Sequence, residues 1–293
     1  MVTRVISGIV VAVLAFLFCF FGAPITNIGF GIIALIGYLE VTKALGIREQ
    51  NNKITGLEIV GLIFTVGLYT ASIFFRPSTN QLVQFMLFTF IAMMVLFVCK
   101  FPEYHIKQVQ SAFFAYVYCP VLLYFMILIR ITGVENIGFA DIQFIPSFSL
   151  GFAYIWMVFA IAWGTDTCAY FAGVTLGKHK LYPILSPKKT FEGCFGGVIG
   201  AGLFSILFMY IFRNYIEFST GGRVVFVIFT MLGSVLSQVG DLAASGIKRN
   251  YGIKDYGNLI PGHGGVMDRV DSLVIIALYV YAFMSQPFIS LNF

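Results

Sequence analysis

At 293 residues, 59% of them hydrophobic and 11% charged, the chain is much more apolar than a soluble domain, in which about half the residues are apolar and about a quarter charged. This composition excludes a water-soluble globular enzyme. The net charge of +5 is carried by basic residues in short loops between apolar runs, which argues against a nucleic-acid partner. The five cysteines, Cys19, Cys99, Cys119, Cys168 and Cys194, include no CxxC pair and indicate neither disulfides nor zinc.

Apolar runs long enough to cross a hydrocarbon layer of about 30 Å recur along the chain. Nine spans are predicted, over residues 5–22, 25–45, 57–75, 82–99, 112–131, 150–174, 195–212, 224–244 and 270–284. The first is longer than the apolar core of a secretory signal and no A-x-A site follows it, so it is kept as a span. The expected fold class is an all-α polytopic membrane protein, one integral membrane domain over residues 1–293. Lys and Arg beside spans stay on the cytoplasmic side. Nine spans put fourteen of them on the N-terminal side, including Lys53, Lys107, Lys188 and Lys254, against Arg76, Arg130, Arg213 and Arg223 on the other. That bias places the N-terminus in the cytoplasm and the C-terminus outside. Residues 1–149 carry no motif. Glu40 and Glu58, the acids within their spans, read as interfacial anchors.

Polar residues gather after position 160, in three groups. In the sixth span, Asp166 lies inside an apolar run, where an unpaired carboxylate costs several kcal/mol; it is expected to face a cation, a polar cavity or a hydrogen-bond network. Tyr170, four residues on, shares its helical face. Gly164, Ala169, Ala172 and Gly173 suit a close helix seam. In the following loop, Ser186-Pro187-Lys188-Lys189-Thr190 sets two cations and two hydroxyls beside a proline turn, chemistry suited to phosphate oxygens.

The third group covers residues 237–272. Asp241 and Ser245, Ser245 with Lys248 or Arg249, and Asp268 with Asp271 stand three or four residues apart, so each set shares a helix face. Two helices bearing carboxylates then flank a basic, glycine-rich loop. This suits a magnesium nucleotide: hard oxygens hold the metal, cations neutralise the polyphosphate, and Gly262, Gly264 and Gly265 allow close backbone approach before a helix N-terminus. Capping of the last span is the plainer role for Asp268 or Asp271. His263 reads equally as a hydrogen-bonding loop imidazole or a substrate contact.

These residues resemble the phosphatidate cytidylyltransferase family. The likeness runs through Asp166-Thr167-x-Ala169-Tyr170-x-x-Gly173, Ser186-Pro187-Lys188-Lys189-Thr190-x-Glu192-Gly193, Gln238-x-Gly240-Asp241-Leu242-x-x-Ser245-x-x-Lys248-Arg249, Lys254-Asp255, and Pro261-Gly262-His263-Gly264-Gly265-x-x-Asp268-Arg269-x-Asp271-Ser272. Tyr256 stands where the family pattern has Phe. The resemblance implies an all-helical membrane enzyme that joins CTP to phosphatidic acid, with magnesium and a potassium ion beside it. Asp241 and Asp268 are then the prime metal ligands and Asp271 an additional one. Lys248, Arg249 and Arg269 join Asp241 and Asp268 in the catalytic set. Asp166, Tyr170, Ser186, Lys188, Lys189, Thr190, Ser245, Lys254, Asp255, His263, Gly264 and Gly265 fall to substrate binding.

Expected partners are CTP, phosphatidic acid, the bilayer and, as one arrangement, a second copy in a homodimer. The expected location is the plasma membrane, with the active site facing the cytoplasm. Two rival readings are a secondary transporter coupled through Asp166 and a membrane enzyme using CTP with another lipid. Transporters place their sites near the midplane between repeated halves, whereas here the polar groups lie on one face of one half.

Overall fold

The computed structural model of the chain describes residues 10, 13–48, 53–132, 149–213 and 219–284. Seven helices among them are long and apolar enough to span a membrane: α1 (Ala23–Ala44), α2 (Gly56–Phe74), α3 (Thr79–Cys99), α4 (Ile106–Arg130), α5 (Leu150–Thr175), α6 (Phe191–Ile211) and α7 (Thr220–Asn250). An eighth, α8 (Met267–Met284), carries Asp268, Arg269 and Asp271 in its opening turns. Each overlaps a predicted span, although α4 begins six residues before and α7 ends six residues after the predicted bounds. Of the predicted first span, residues 5–22, positions 10 and 13–22 are described, and 13–20 are helical.

The chain forms two compact units. Met1–Ser147 and Asn250–Val270 make the first, so the loop before α8 belongs with the N-terminal helices; Phe148–Arg249 and Asp271–Phe293 make the second.

In the first unit, α2 begins at a capping box. Thr55 accepts from the Glu58 amide, and Glu58 Oε2 accepts from the Thr55 amide at 2.8 Å. Glu58 is fully buried, and its Oε1 takes Thr42 Oγ1 at 2.7 Å and Arg48 Nε at 2.9 Å. This corrects its reading as an interfacial anchor: the carboxylate ties the start of α2 to the end of α1. Within α4, Pro120 lacks an amide proton, and the helix passes it in a π-turn, Val117–Val121. Tyr69 Oη donates to the Pro120 carbonyl at 3.1 Å. Tyr38 packs edge-on against Tyr116, and Tyr69 against Tyr124, filling the core between these helices.

In the second unit, α5 and α6 pack backbone to backbone. A Cβ on Gly196 would overlap that of Ala172, and one on Gly197 would lie 3.1 Å from the Thr165 carbonyl. The small-residue seam expected in the sixth span is therefore present, with its partner glycines on α6. Between the two helices, β1 (Lys180–Tyr182) and β2 (Ser186–Thr190) pair antiparallel, where the sequence reading expected only a loop. Tyr279 of α8 stacks on Phe229 of α7 and donates to its carbonyl at 3.0 Å.

Candidate active site

In the second unit, the hairpin is clamped at its base. Glu192 accepts from the His179 amide, and its Oε1 lies 2.7 Å from His179 Nδ1. Thr190 ends β2 as the N-cap of α6, its Oγ1 accepting from the Gly193 amide at 3.1 Å. Thr190 was expected among the substrate groups, but its buried hydroxyl caps a helix. Ser186 opens β2 half-buried, Lys188 is exposed, and Lys189 turns inward to place Nζ 2.5 Å from Asp241 Oδ2. The second and third motifs are thereby joined through a cation and a carboxylate. Gln238 adds a further tie, its Nε2 donating to the Cys194 carbonyl at 3.2 Å.

Asp241 follows a close helix crossing. A Cβ on Gly240 would lie 3.3 Å from the Asp271 carbonyl and 3.5 Å from Ser272 Cα, so α7 and α8 approach through backbone at this point. Asp241 and Asp271 are thus carried by helices that meet one residue away. Further along α7, Ser245 is half-buried, Lys248 buried and Arg249 exposed. Asp166 and Tyr170 are exposed on α5, one turn apart, on residues the glycine seam leaves clear.

In the first unit, the loop before α8 is a tight turn. Ile260 and Gly264 bridge, the Ile260 amide donating to the Gly264 carbonyl and the His263 amide to the Ile260 carbonyl, each at 2.9 Å. Gly262 and Gly264 take φ of +77° and +86°, values that L side chains rarely adopt. Asp268 Oδ2 accepts from the Tyr256 amide at 2.8 Å and the Gly265 amide at 3.0 Å. Tyr256 contributes its backbone to this contact, so the departure from Phe leaves it intact. Lys254, Asp255 and Arg269 are exposed, and His263 is half-buried.

The N-terminus of α8 differs from expectation. The glycines are expected to allow close backbone approach of a nucleotide before this helix end, and here Val266 and Met267 donate their amides to Glu40 Oε1 at 3.0 Å and Oε2 at 2.8 Å. Gly265 makes room for Glu40: a Cβ there would lie 2.5 Å from Glu40 Oε2. The anion at this helix end is a side chain of α1, and Gly265 serves that contact. The sequence suggests an interfacial anchor outside the site for Glu40; its hydrogen bonds to α8 correct this. Its place a turn before the end of an apolar helix does not distinguish this role from contact with water.

Among the described residues, no three His, Cys, Asp or Glu side chains gather as a ready metal cage. Magnesium does not require one, since it is commonly held by one or two carboxylates together with substrate phosphates and waters. Asp241 fits this demand, with an oxygen already set against a cation and a second carboxylate-bearing helix crossing beside it.

A mainly helical membrane protein with carboxylates, lysines and a glycine-rich turn in its last three helices and their connections has the make-up of a membrane-embedded transferase of charged groups. A model of the cytidylyltransferase family matches residues 2–286. The phosphatidate cytidylyltransferase of Staphylococcus epidermidis is 32% identical over 267 residues, 91% of this chain and 93% of that protein. The enzymes of that name from Staphylococcus haemolyticus and Staphylococcus aureus are each 38% identical over 144 residues, 49% of this chain and 54% of theirs. The chain belongs to the cytidylyltransferase family.

Proposed function

We propose that the chain is a phosphatidate cytidylyltransferase, converting CTP and phosphatidic acid to CDP-diacylglycerol and pyrophosphate in phospholipid synthesis. A phosphate oxygen of phosphatidic acid attacks the α-phosphorus of CTP, a P–O bond forms, the bond from that phosphorus to the bridging oxygen breaks, and pyrophosphate leaves. The lipid phosphate is already substantially ionised near neutral pH, so no general base is needed and His263 has no obligatory proton to move.

The observation that carries this reading is the Lys189–Asp241 pair, which joins the loop suited to phosphate with the helix suited to a metal. In this reading Lys189 passes from Asp241 to a phosphate oxygen as substrate arrives, freeing a carboxylate oxygen as it does. Lys188, Lys248, Arg249 and Arg269 counter the charge of two anionic substrates. Asp241 and Asp268, with Asp271 as a further ligand, are the residues that would hold magnesium, with potassium beside it as the family resemblance implies. When bound, the metal polarises the α-phosphate and the leaving oxygens. The bias of basic residues supports an active site on the cytoplasmic side, where CTP is found.

The test is pyrophosphate release by detergent-purified protein, supplied in turn with each nucleotide and each lipid phosphate. Release that requires both CTP and phosphatidic acid supports the proposal. Release with a different lipid reassigns the substrate, and none with any pair refutes the reading.

A further inference from the structure

Among the described residues, side-chain N-caps are of two kinds, and α1, with Gly22 at its N-cap, has neither. Thr55, Ser78, Ser149 and Thr190 each cap their own helix, accepting from an amide three residues on. The cap on α8 is the carboxylate of Glu40, 226 residues before Val266 in the chain. Each of its oxygens takes one amide, from Val266 and from Met267. Room for it is made twice, because a Cβ on Gly257 or on Gly265 would fall against the Glu40 carboxylate. Gly265 in turn gives its own amide to Asp268 Oδ2, which also holds the Tyr256 amide. Glu40, Gly265 and Asp268 therefore form one continuous clasp, and both ends of it are carboxylates.

A cap needed only for stability is supplied locally elsewhere in this chain. Here the acceptor comes from the half without motifs and bears on the turn that carries Asp268. We infer that Glu40 is a positioning residue for cytidylyl transfer: by holding the Val266 and Met267 amides it fixes the opening turn of α8 and so the carboxylate of Asp268. The inference rests on the proposed reading of Asp268 as a metal ligand. Glutamine keeps the size of the side chain but replaces one acceptor oxygen by a donor, which opposes one of the two amides.

The experiment compares full-length wild type, Glu40→Gln, Gly265→Ala and Asp268→Asn in detergent. Hydrogen exchange over residues 256–268, binding of Mn²⁺ alone by electron paramagnetic resonance, and turnover against magnesium at saturating CTP are measured. In Glu40→Gln, exchange at 266–267 should rise while α2 and α6 stay protected. Mn²⁺ affinity should fall, and turnover should drop by about tenfold to a hundredfold, as expected when a reacting group is misplaced by an ångström or so. Gly265→Ala should reproduce this and serves as the test if Glu40→Gln fails to fold. Faster exchange with Mn²⁺ affinity and turnover at wild-type values would leave Glu40 a cap only and overturn the inference. If Asp268→Asn is inactive while both clasp variants are fully active, the inference alone fails. If Asp268→Asn itself binds Mn²⁺ and turns over normally, the reading of Asp268 falls and the inference with it.

Discussion

Lys189 Nζ rests 2.5 Å from Asp241 Oδ2, joining the end of a two-stranded hairpin to the C-terminal third of a 31-residue helix. Both side chains are partly exposed, so water screens the pair and its contribution to stability is small. Its importance is to bring a cation and a carboxylate together where phosphate chemistry is proposed.

Asp241→Asn should remove most CDP-diacylglycerol synthesis, by about a hundredfold or more, while the protein still inserts and purifies. Asn is nearly isosteric but lacks the charge that retains a divalent cation, and each ~1.36 kcal/mol lost at the transition state is about tenfold in rate. Turnover measured against magnesium and manganese checks this. Wild-type rates with unchanged metal dependence would return Asp241 to a structural role.

Lys189→Ala should weaken use of CTP or lipid phosphate more than Lys188→Ala, because only Lys189 is seated on Asp241. Combined with Asp241→Asn, Lys189→Ala should cost much less than it does alone, as expected for residues acting as a unit. Steady-state kinetics at limiting substrate on the two single variants and the double variant measure the coupling; fully additive losses would mean that the pair does not act together.

Glu58→Ala should destabilise the protein by about 3–5 kcal/mol, the usual consequence of removing one partner of a buried ion pair. Glu103→Ala, which breaks the exposed Lys100–Glu103 pair, should cost no more than about 1 kcal/mol. Thermal unfolding in detergent separates the two, and equal melting temperatures would contradict the burial of Glu58.

Single cysteines at Lys53, Lys107, Lys188 and Lys254, on a cysteine-free background, should all be shielded from an impermeant reagent in sealed cells and label only after permeabilisation. External labelling at Lys188 or Lys254 would reverse the proposed orientation and deny CTP its access.

The spanning helices could be read from hydropathy because a run of some twenty apolar residues has one stable solution in a bilayer, with every backbone amide satisfied inside the helix. The hairpin was hidden. Lys180 to Thr190 contains two prolines and shows no regular alternation of apolar residues, and the Glu192–His179 contact closes the hairpin at its base. For Glu58, the local signal was present in the Thr55-x-x-Glu58 spacing, and the structure uses it as a capping box. Glu40 is the opposite case. An acid near the end of an apolar helix looks the same in sequence whether it meets water or a pair of amides more than two hundred residues away. The acids after position 160 were recognisable by their company, since they stand in short motifs with lysines, arginines, hydroxyls and glycines.

The Glu40 cap also bears on where this protein can be divided. Every motif lies after residue 149, and on that ground the last half of the chain looks like a module that evolution or an engineer might transplant intact. A graft made at that boundary would carry the aspartates, the lysines and the glycine turn, yet arrive with the Val266 and Met267 amides stripped of their acceptor. The transferable unit is larger than the motifs suggest, and its border lies before α1.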